Sequence, residues 1–418
     1  MKNFFIIKLL HSYTVSTLQE SEYTAVSLVD RVTNMIIKQN EDTQKNVVIG
    51  VFISKKHAKD LITMNPKFVS SYRYIRFIEL AKANQDVDVT LYFFAYDQVS
   101  FEKKYVHGVY YNHRKDIWQR NKFPLPHVLY DRGGGISRMS MLTIQKFREL
   151  GIKNINAQHF FDKWDLYERL SKEDTIRSHL PVTLKGDKAI NVVEIINQHG
   201  QVYVKTRRGS CGKGVIRIEK YNPDKFRYYY SYGDKLFSDI CTEWDLIRIL
   251  RKYFAHNPFI IQKPIDLMKK GECIIDFRSE VQKNEKGHFV ITGTVARIGR
   301  PHSPIASNTR LEDYYPFETF VKDTMQLDGV RAFILQVKVN QFLQTVFRAV
   351  EHVYGSFGEL GIDFGMDARG HLWLIECNSK SAKVALYHAF GRQRVKQSFC
   401  NLLQYAKCLV EKQNNNDN

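Results

Sequence analysis

Two acidic residues and an amide occupy fixed positions within residues 359–378, ELGIDFGMDARGHLWLIECN. Apolar, β-branched or aromatic residues alternate on both sides of Arg369-Gly370, which predicts two strands joined by a two-residue turn. In the register of such a hairpin, Asp363 lies directly opposite Glu376, and Asn378 falls on the same face as Glu376. Opposed Cβ atoms in a hairpin lie about 5 Å apart.

The hairpin therefore predicts a site at which two carboxylates and one amide oxygen converge. Mg²⁺ suits such a site, because it takes few protein ligands and completes its coordination shell with water and phosphate. The alternative is an ordinary hairpin with a solvated polar face, and the hairpin alone does not decide between the two interpretations.

A second motif, YVKTRRGSCGKGVIRI at 203–218, places a glycine-rich loop between two predicted strands. The first strand ends in Lys205, and the loop contains Gly209, Gly212 and Gly214. Glycines let backbone amides approach phosphate oxygens closely, and the lysine supplies positive charge. The motif is not a Walker A loop, because it lacks that spacing and a strand follows it. It predicts a lid over a triphosphate, with a basic β-hairpin tip as the alternative.

The chain carries a formal net charge of +18, and this charge is partly local. Residues 201–230 contain eight Lys or Arg and two Asp or Glu. This pattern predicts an anionic ligand such as a polyphosphate, an acidic polymer or nucleic acid, with solubility alone as the alternative. The sequence contains no helix-turn-helix, RNP or zinc-finger spacing, which argues against sequence-specific nucleic-acid recognition.

Cysteine use and hydropathy bear on the cellular compartment. The six cysteines form no CxxC pair, which argues against zinc and disulfides and predicts a reducing cytoplasm. Cys211 and Cys377 lie beside the two motifs, but no neighbouring His could activate either as a nucleophile. No stretch approaches the roughly 20 apolar residues of a membrane helix. We expect no signal peptide, because the apolar run at 4–10 is interrupted by Lys8 and no small-residue cleavage site follows.

The pattern of elements along the chain predicts its organisation. Strand-like runs alternate with a helical stretch over 46–155, as in an α/β domain, and residues 1–45 precede it as a separate segment. Residues 331–355 predict a long amphipathic helix with a core-facing stripe. We predict a second domain at 156–410 and a disordered tail at 411–418.

The order of these motifs resembles the ATP-grasp superfamily and, within it, the endospore coat-associated YheC/YheD family. The segments that carry the resemblance lie within residues 128–390 and include FDKWDLYERL, YVKTRRGSCGKGVIRI, FIIQKPI, DFRSEVQKNEKG, GTVARIG and GIDFGMDARGHLWLIECNSK. The resemblance implies an N-terminal α/β domain followed by an ATP-grasp fold. In that fold, two α+β subdomains hold ATP between their sheets.

The resemblance also implies a role for each matching residue. The ATP phosphates would contact two lysines and a mobile loop: Lys163, Lys205, Gly209, Ser210, Gly212 and Gly214. The adenine edge would meet the backbone of the interdomain hinge: Gln262, Lys263 and Ile265. The transferred phosphoryl group and its acceptor would face two catalytic arginines, Arg278 and Arg297. Mg²⁺ would be held by Asp363, Glu376 and Asn378.

The activity that the resemblance implies is ligation of a carboxylate to an amine through an acylphosphate, with release of ADP and phosphate. It also implies a cytoplasmic protein associated with the endospore coat, and homodimers are common in the superfamily. A non-catalytic spore-layer scaffold that keeps the nucleotide site is the alternative. A non-specific polyanion binder is a third possibility.

The chain departs from the family pattern at two places. TRLEDYY follows Ser307-Asn308 where the family usually has a Gly-Gly, and ECNSKSA replaces the usual Pro-Gly after the metal-binding strand. Both segments would touch the acceptor. The departures therefore predict either a different substrate or a loss of turnover.

Overall fold

The computed structural model describes residues 47–65, 71–133, 137–209, 214–232, 235–255, 257–306 and 313–416. The chain divides into two units, Met1–Val47 and Val48–Asn418, and the helices and strands of the described residues belong to the second unit. The predicted segment 1–45 lies outside the described residues.

The first sheet is formed by residues 48–154. Its strands are β1 (Val48–Phe52), β2 (Thr90–Phe94), β3 (Val99–Ser100), β4 (Tyr105–Asn112), β5 (Ile117–Pro124), β6 (Val128–Asp131) and β7 (Lys153–Asn154). The order is β3-β4-β2-β1-β6-β7, with β5 paired to β4. Its helices are α1 (Lys55–Thr63), α2 (Tyr72–Val87) and α3 (Arg138–Glu149), and a 3₁₀ turn spans Tyr96–Gln98. β1 pairs in parallel with β2 and β6 and is buried throughout, as expected for an interior parallel strand.

The second sheet is entirely antiparallel. Its strands are β8 (Thr183–Gly186), β9 (Gln201–Thr206), β10 (Val215–Asn222), β11 (Lys225–Tyr232), β12 (Lys235–Thr242) and β13 (Phe259–Gln262), in the order β12-β11-β10-β9-β13-β8. Helices α4 (Lys163–Leu170) and α5 (Asp174–Arg177) precede it, and α6 (Ala189–His199) and α7 (Glu243–Phe254) share its apolar core.

The third sheet carries the predicted metal hairpin. Its strands are β14 (Lys269–Lys270), β15 (Cys273–Lys283), β16 (Phe289–Pro301), β17 (Asp313–Pro316), β18 (Glu359–Met366) and β19 (Leu372–Asn378). The order is β17-β16-β15-β18-β19, with β14 paired to β15. Helices α8 (Phe317–Thr319), which continues as a π-helix over Phe320–Thr324, α9 (Gly329–Tyr354) and α10 (Val384–Asn416) complete this region.

Helix α9 corresponds to the predicted amphipathic helix and ends at Gly355. Val339, Phe342, Val346 and Val350 of its stripe are buried against the third sheet, which confirms the prediction that the stripe is core. α10 bends at Gly391, where φ is 76°, and remains helical to Asn416. It therefore extends into the tail that the sequence predicts as disordered.

The predicted domain boundaries near 45, 155 and 410 stay predictions, although the first sheet ends at Asn154. Within the described ranges, no helix combines the length and the apolar character needed to cross a membrane.

The β18–β19 hairpin has a longer loop than the sequence predicts. Asp367 N–H donates to His371 O at 3.0 Å, and Gly370 has a φ of 75°, so the loop has three residues. The prediction of a two-residue turn at Arg369-Gly370 is therefore wrong. The extra loop residue would shift every cross-strand pair by one position. A β-bulge between the pairs of Asp363 and Phe364 cancels that shift. The predicted opposition of Asp363 and Glu376 is confirmed.

Candidate active site

Side chains from the second and third sheets line one shared cleft. Predicted site residues in its lining are Lys163, Lys205, Gln262, Lys263, Ile265, Arg297, Asp363 and Glu376. Arg278 and Asn378 are not in this lining, but both contact Asp363. Gly209 and Gly214 flank the glycine-rich loop, whereas Ser210 and Gly212 lie outside the described residues. The cleft thus brings together groups that are far apart in sequence. Lys163 and Glu376, for example, are separated by 213 residues.

Lys163 occupies the first turn of α4, and Asp162 fixes that turn. The Asp162 carboxylate accepts from Trp164 N–H at 3.0 Å and from Arg207 Nε at 2.9 Å, which joins the helix start to the end of β9. The Lys163 ammonium reaches Glu376 Oε1 at 3.1 Å and Gly209 O at 3.2 Å. It therefore lies between Gly209, at the start of the glycine-rich loop, and the β18–β19 hairpin.

Lys205 lies on β9 and is held by a buried glutamine. Its ammonium donates to Gln262 Oε1 at 2.5 Å, and Gln262 Nε2 in turn donates to Thr183 Oγ1 at 2.9 Å. Burial, with repulsion from Lys163, lowers the pKa of Lys205 to about 8. Because the Lys205 ammonium is desolvated, its electrostatic attraction for a phosphate would be stronger than that of an exposed lysine.

The base of the glycine-rich loop is closed by one backbone hydrogen bond. Thr206 N–H donates to Gly214 O at 2.9 Å. Gly214 has a φ of 79°, and a Cβ there would lie 2.4 Å from Thr206 Oγ1. Only glycine meets both requirements, because other residues resist positive φ and would collide with Thr206.

The segment after β13, for which the sequence predicts an adenine-binding hinge, has two backbone groups that could serve this role. Lys263 N–H donates to Val182 O at 2.9 Å, and Ile265 O accepts from Leu267 N–H at 2.9 Å. Among the described residues, no hydrogen bond uses the Lys263 carbonyl or the Ile265 N–H. These two groups are one acceptor and one donor, as the amino group and N1 of adenine require.

Asp363 is the centre of the polar groups on the third sheet. Its Oδ2 accepts from Arg278 Nη1 at 2.7 Å and from Asn378 Nδ2 at 3.1 Å, and its Oδ1 accepts from Arg297 Nη2 at 2.9 Å. Gly361 makes room for this arrangement, because a Cβ there would lie 3.2 Å from the Arg278 guanidinium carbon. Two arginines therefore orient a carboxylate that has little exposure to solvent.

Asp276 belongs to the site but is absent from the predicted set. It lies opposite Arg297 in the β15–β16 register and accepts from Arg297 Nε and Nη2 at 2.6 and 2.8 Å. Burial raises the pKa of Asp276, although Arg297 opposes the shift. The structure pairs Arg278 with Glu280 at 3.6 Å and with Asp363 at 2.7 Å.

A further set of buried charges adjoins Arg278. The Lys383 ammonium donates to Glu359 Oε2 at 2.7 Å and lies 3.8 Å from Glu280 Oε2. Arg132, from the end of β6, donates to Glu359 Oε1 at 3.0 Å. Burial alone would raise the pKa of Glu359, but Lys383 and Arg132 outweigh it and hold the pKa below its ordinary value. Strand alternation places Glu280 beside Arg278, whereas no local pattern predicts Lys383.

The residues present fit Mg²⁺. Within the described part of the chain, no three His, Cys, Asp or Glu side chains come together as a metal centre. An ion would therefore depend on Asp363 and Glu376 with the Asn378 amide. These are hard oxygen donors, and the Asn378 bond to Asp363 uses the amide nitrogen, not the oxygen that Mg²⁺ needs. The Lys163 ammonium contacts Glu376 Oε1 at 3.1 Å, so an ion there would share this carboxylate with the lysine.

Cys377, in the β18–β19 hairpin, is not an activated nucleophile. Burial raises the pKa of the Cys377 thiol, and Asp363 and Glu376 add to the shift. A protonated thiol is a poor nucleophile. Cys211 lies outside the described residues.

Comparisons with known proteins agree with this geometry. The sequence profile of a family described as YheC/D-like ATP-grasp matches residues 151–409. The endospore coat-associated protein YheD of Bacillus subtilis (strain 168) is 24% identical over 324 residues, which cover 76% of this chain and 70% of YheD. The endospore coat-associated protein YheC of the same organism is 21% identical over 328 residues, which cover 78% of this chain and 89% of YheC.

Among solved structures, the VanG D-Ala:D-Ser ligase from Enterococcus faecalis matches with a TM-score of 0.51 at 12% sequence identity. The match covers 88% of this chain and 100% of the VanG chain. The predicted fold class, an N-terminal α/β domain followed by an ATP-grasp fold, is confirmed.

Proposed function

Because the chain belongs to the YheC/D-like ATP-grasp family, we propose that it is a Mg²⁺-dependent ligase that uses ATP to join a carboxylate to an amine. One observation carries the proposal: two lysines from the ATP-binding motifs and two carboxylates from the hairpin line the same cleft. A scaffold that needed only the fold would have no requirement for this set of charges.

The chemistry explains why the cleft contains both signs of charge. A carboxylate is a poor electrophile, so its oxygen attacks the γ-phosphorus of ATP and ADP leaves. The amine then attacks the acyl carbon, phosphate leaves with the former carboxylate oxygen, and the amine loses a proton. Negative charge moves through both steps, and fixed cations stabilise it without reorganisation.

The residues of the chain divide these tasks. Lys205 and Lys163 would contact the phosphates, and the loop between Gly209 and Gly214 would close over them. The Lys263 carbonyl and the Ile265 N–H would bind the adenine edge beside Gln262. Mg²⁺ held by Asp363, Glu376 and Asn378 would neutralise phosphate charge.

The arginines have a more restricted role. Arg297 lines the cleft, whereas Arg278 does not, and both donate to Asp363. Their primary contribution is to orient Asp363. Arg297 is the better placed of the two to face the transferred phosphoryl group.

The acceptor is proposed to be acidic, such as an acidic peptide or cell-envelope polymer. Support comes from the net charge of +18 and from the basic segment 201–230. Association with the endospore coat is proposed from the names of the two relatives, YheD and YheC. A homodimer stays a prediction.

The test is calorimetric titration of MgATP, followed by a screen for ADP release. The screen combines amino acids with acidic and neutral polymers and identifies products by mass spectrometry. We expect saturable heat with MgATP and ADP release that depends on both a carboxylate and an amine. The absence of heat would end the proposal, and equal activity toward neutral and acidic acceptors would remove the acidic preference.

A further inference from the structure

A row of buried charges of alternating sign connects the first sheet to the proposed metal site. In spatial order, its members are Arg132, Glu359, Lys383, Glu280, Arg278 and Asp363. The middle of the row is fully enclosed: the side chains of Lys383 and Glu359 are 0% exposed and that of Glu280 is 1% exposed. Charges this deep are found only where each has a partner.

Lys383 is unusual in its backbone as well as in its burial. Its φ is 59°, in the left-handed region that residues with a Cβ avoid. Its N–H donates to Ser381 Oγ at 3.3 Å, and its carbonyl accepts from Tyr387 N–H at 2.9 Å. A strained lysine persists where the surroundings require its ammonium at one point, here between two glutamates.

Glu280 depends on Lys383 for its charge balance. Glu280 Oε2 is buried without a hydrogen bond in the described part of the chain, and the Lys383 ammonium lies 3.8 Å from it. Glu280 Oε1 accepts from Ser381 and lies 3.6 Å from Arg278 Nε. The same guanidinium donates to Asp363 through Nη1 at 2.7 Å. Glu280 and Asp363 therefore compete for one arginine.

We propose that Lys383 is a positioning residue for the metal site, because it neutralises Glu280 and so leaves Arg278 directed at Asp363. This inference rests on the proposed function. Without the ammonium, the uncompensated charge of Glu280 would draw the guanidinium away. Asp363 would then lose one of the two arginines that orient it, although Lys383 itself is not among the residues that line the cleft.

The test measures Mn²⁺ binding in the presence of ADP by the loss of the free-ion electron paramagnetic resonance signal. For Lys383→Met in the full chain, we expect Mn²⁺ affinity to fall about tenfold or more, the effect typical of lost support for a metal ligand. Metal-free ADP affinity should stay within about twofold, because the lysines that contact the phosphates are unchanged. Lys104→Met is the matched control, since Lys104 is exposed and also has positive φ (51°).

Two further variants keep the test decisive if Lys383→Met folds poorly. Glu280→Gln removes the competing charge, so it should keep wild-type Mn²⁺ affinity within about threefold, and Lys383→Met with Glu280→Gln should recover it. Wild-type affinity in Lys383→Met, or loss of affinity in Glu280→Gln, would overturn the positioning role alone. A wild-type protein that binds neither ADP nor Mn²⁺ would overturn the proposed function and this inference together.

Discussion

The guanidinium of Arg297 joins Asp276 to Asp363. It donates to both oxygens of Asp276, at 2.6 and 2.8 Å, and its Nη2 also donates to Asp363 Oδ1 at 2.9 Å. All three side chains are largely buried, so water cannot replace the arginine as a partner. Arg297 therefore contributes both to the stability of the fold and to the orientation of Asp363 in the proposed metal site.

We expect Arg297→Met to destabilise the protein by about 3–5 kcal/mol, because Asp276 would stay buried without its cation and Asp363 would retain only Arg278. The loss should be smaller at low pH. Burial raises the pKa of Asp276 in the folded state, and removing Arg297 raises it further. The folded variant then binds more protons than the unfolded chain, so its stability increases as pH falls.

Urea unfolding of the Arg297 variant at pH 5.5 and 8 measures both effects. The control is Arg331→Met, which removes an arginine that is 75% exposed and paired to Asp328 at 3.4 Å. That change should cost less than about 1 kcal/mol. Equal losses in the two variants would contradict the buried role of Arg297.

Glu376→Gln tests the proposed role of this carboxylate as a metal ligand. The Glu376 side chain is 27% exposed, and glutamine can still accept from Lys163, so the fold should stay intact. Mg²⁺-dependent ADP release should fall to background, because one anionic ligand is lost. Coupled ADP detection and thermal melting provide the measurements, with the exposed Glu318→Gln as control. ADP release that persists at the wild-type rate would refute the assignment.

The pKa of Lys205 predicts how nucleotide binding depends on pH. Because this pKa is about 8, the ammonium that attracts phosphate is lost as pH rises above that value. Above pH 8, affinity for ADP should fall by up to about tenfold per pH unit. Because bound phosphate raises the lysine pKa, ADP binding near pH 8.5 should be accompanied by proton uptake. Calorimetry in buffers of different ionisation enthalpy measures this uptake.

Lys205→Met should bind ADP weakly and without this pH dependence. The folding equilibrium supplies an independent check on the same group. Between pH 8 and 10.5, the unfolded chain binds more protons at this position than the folded protein does, so Lys205 should make stability rise with pH in that interval. A variant that retains the wild-type pH profile would show that another group titrates.

Local patterns account for what the sequence predicts correctly. Strand alternation and the position of the turn bring Asp363 opposite Glu376, although the loop is longer by one residue and a bulge corrects the register. Alternation also places Asp276, Arg278 and Glu280 on one face of β15. The order of the motifs then supplies the ATP-grasp architecture.

The pairing of charges could not be predicted in the same way. Arg297 and Asp276 are 21 residues apart, and Lys383 and Glu359 are 24 apart, so the register of several strands decides their contacts. Helix α10 also extends into the polar tail, residues 411–418, for which composition predicts disorder. The preceding turns of α10 already provide the helix nucleus, so extension of the helix to Asn416 costs little free energy.

The last prediction separates two effects at Gly214. Gly214→Ala adds strain at a φ of 79° and a collision with Thr206, whereas Gly200→Ala has a comparable φ of 74° and meets nothing within 4 Å. Both variants should lose about 1 kcal/mol or more from backbone strain. Only Gly214→Ala should also weaken ADP binding, because the displaced Thr206 N–H would release the base of the loop. Titration calorimetry of both variants decides the matter, and equal ADP affinities would mean that the loop base does not contribute to phosphate binding.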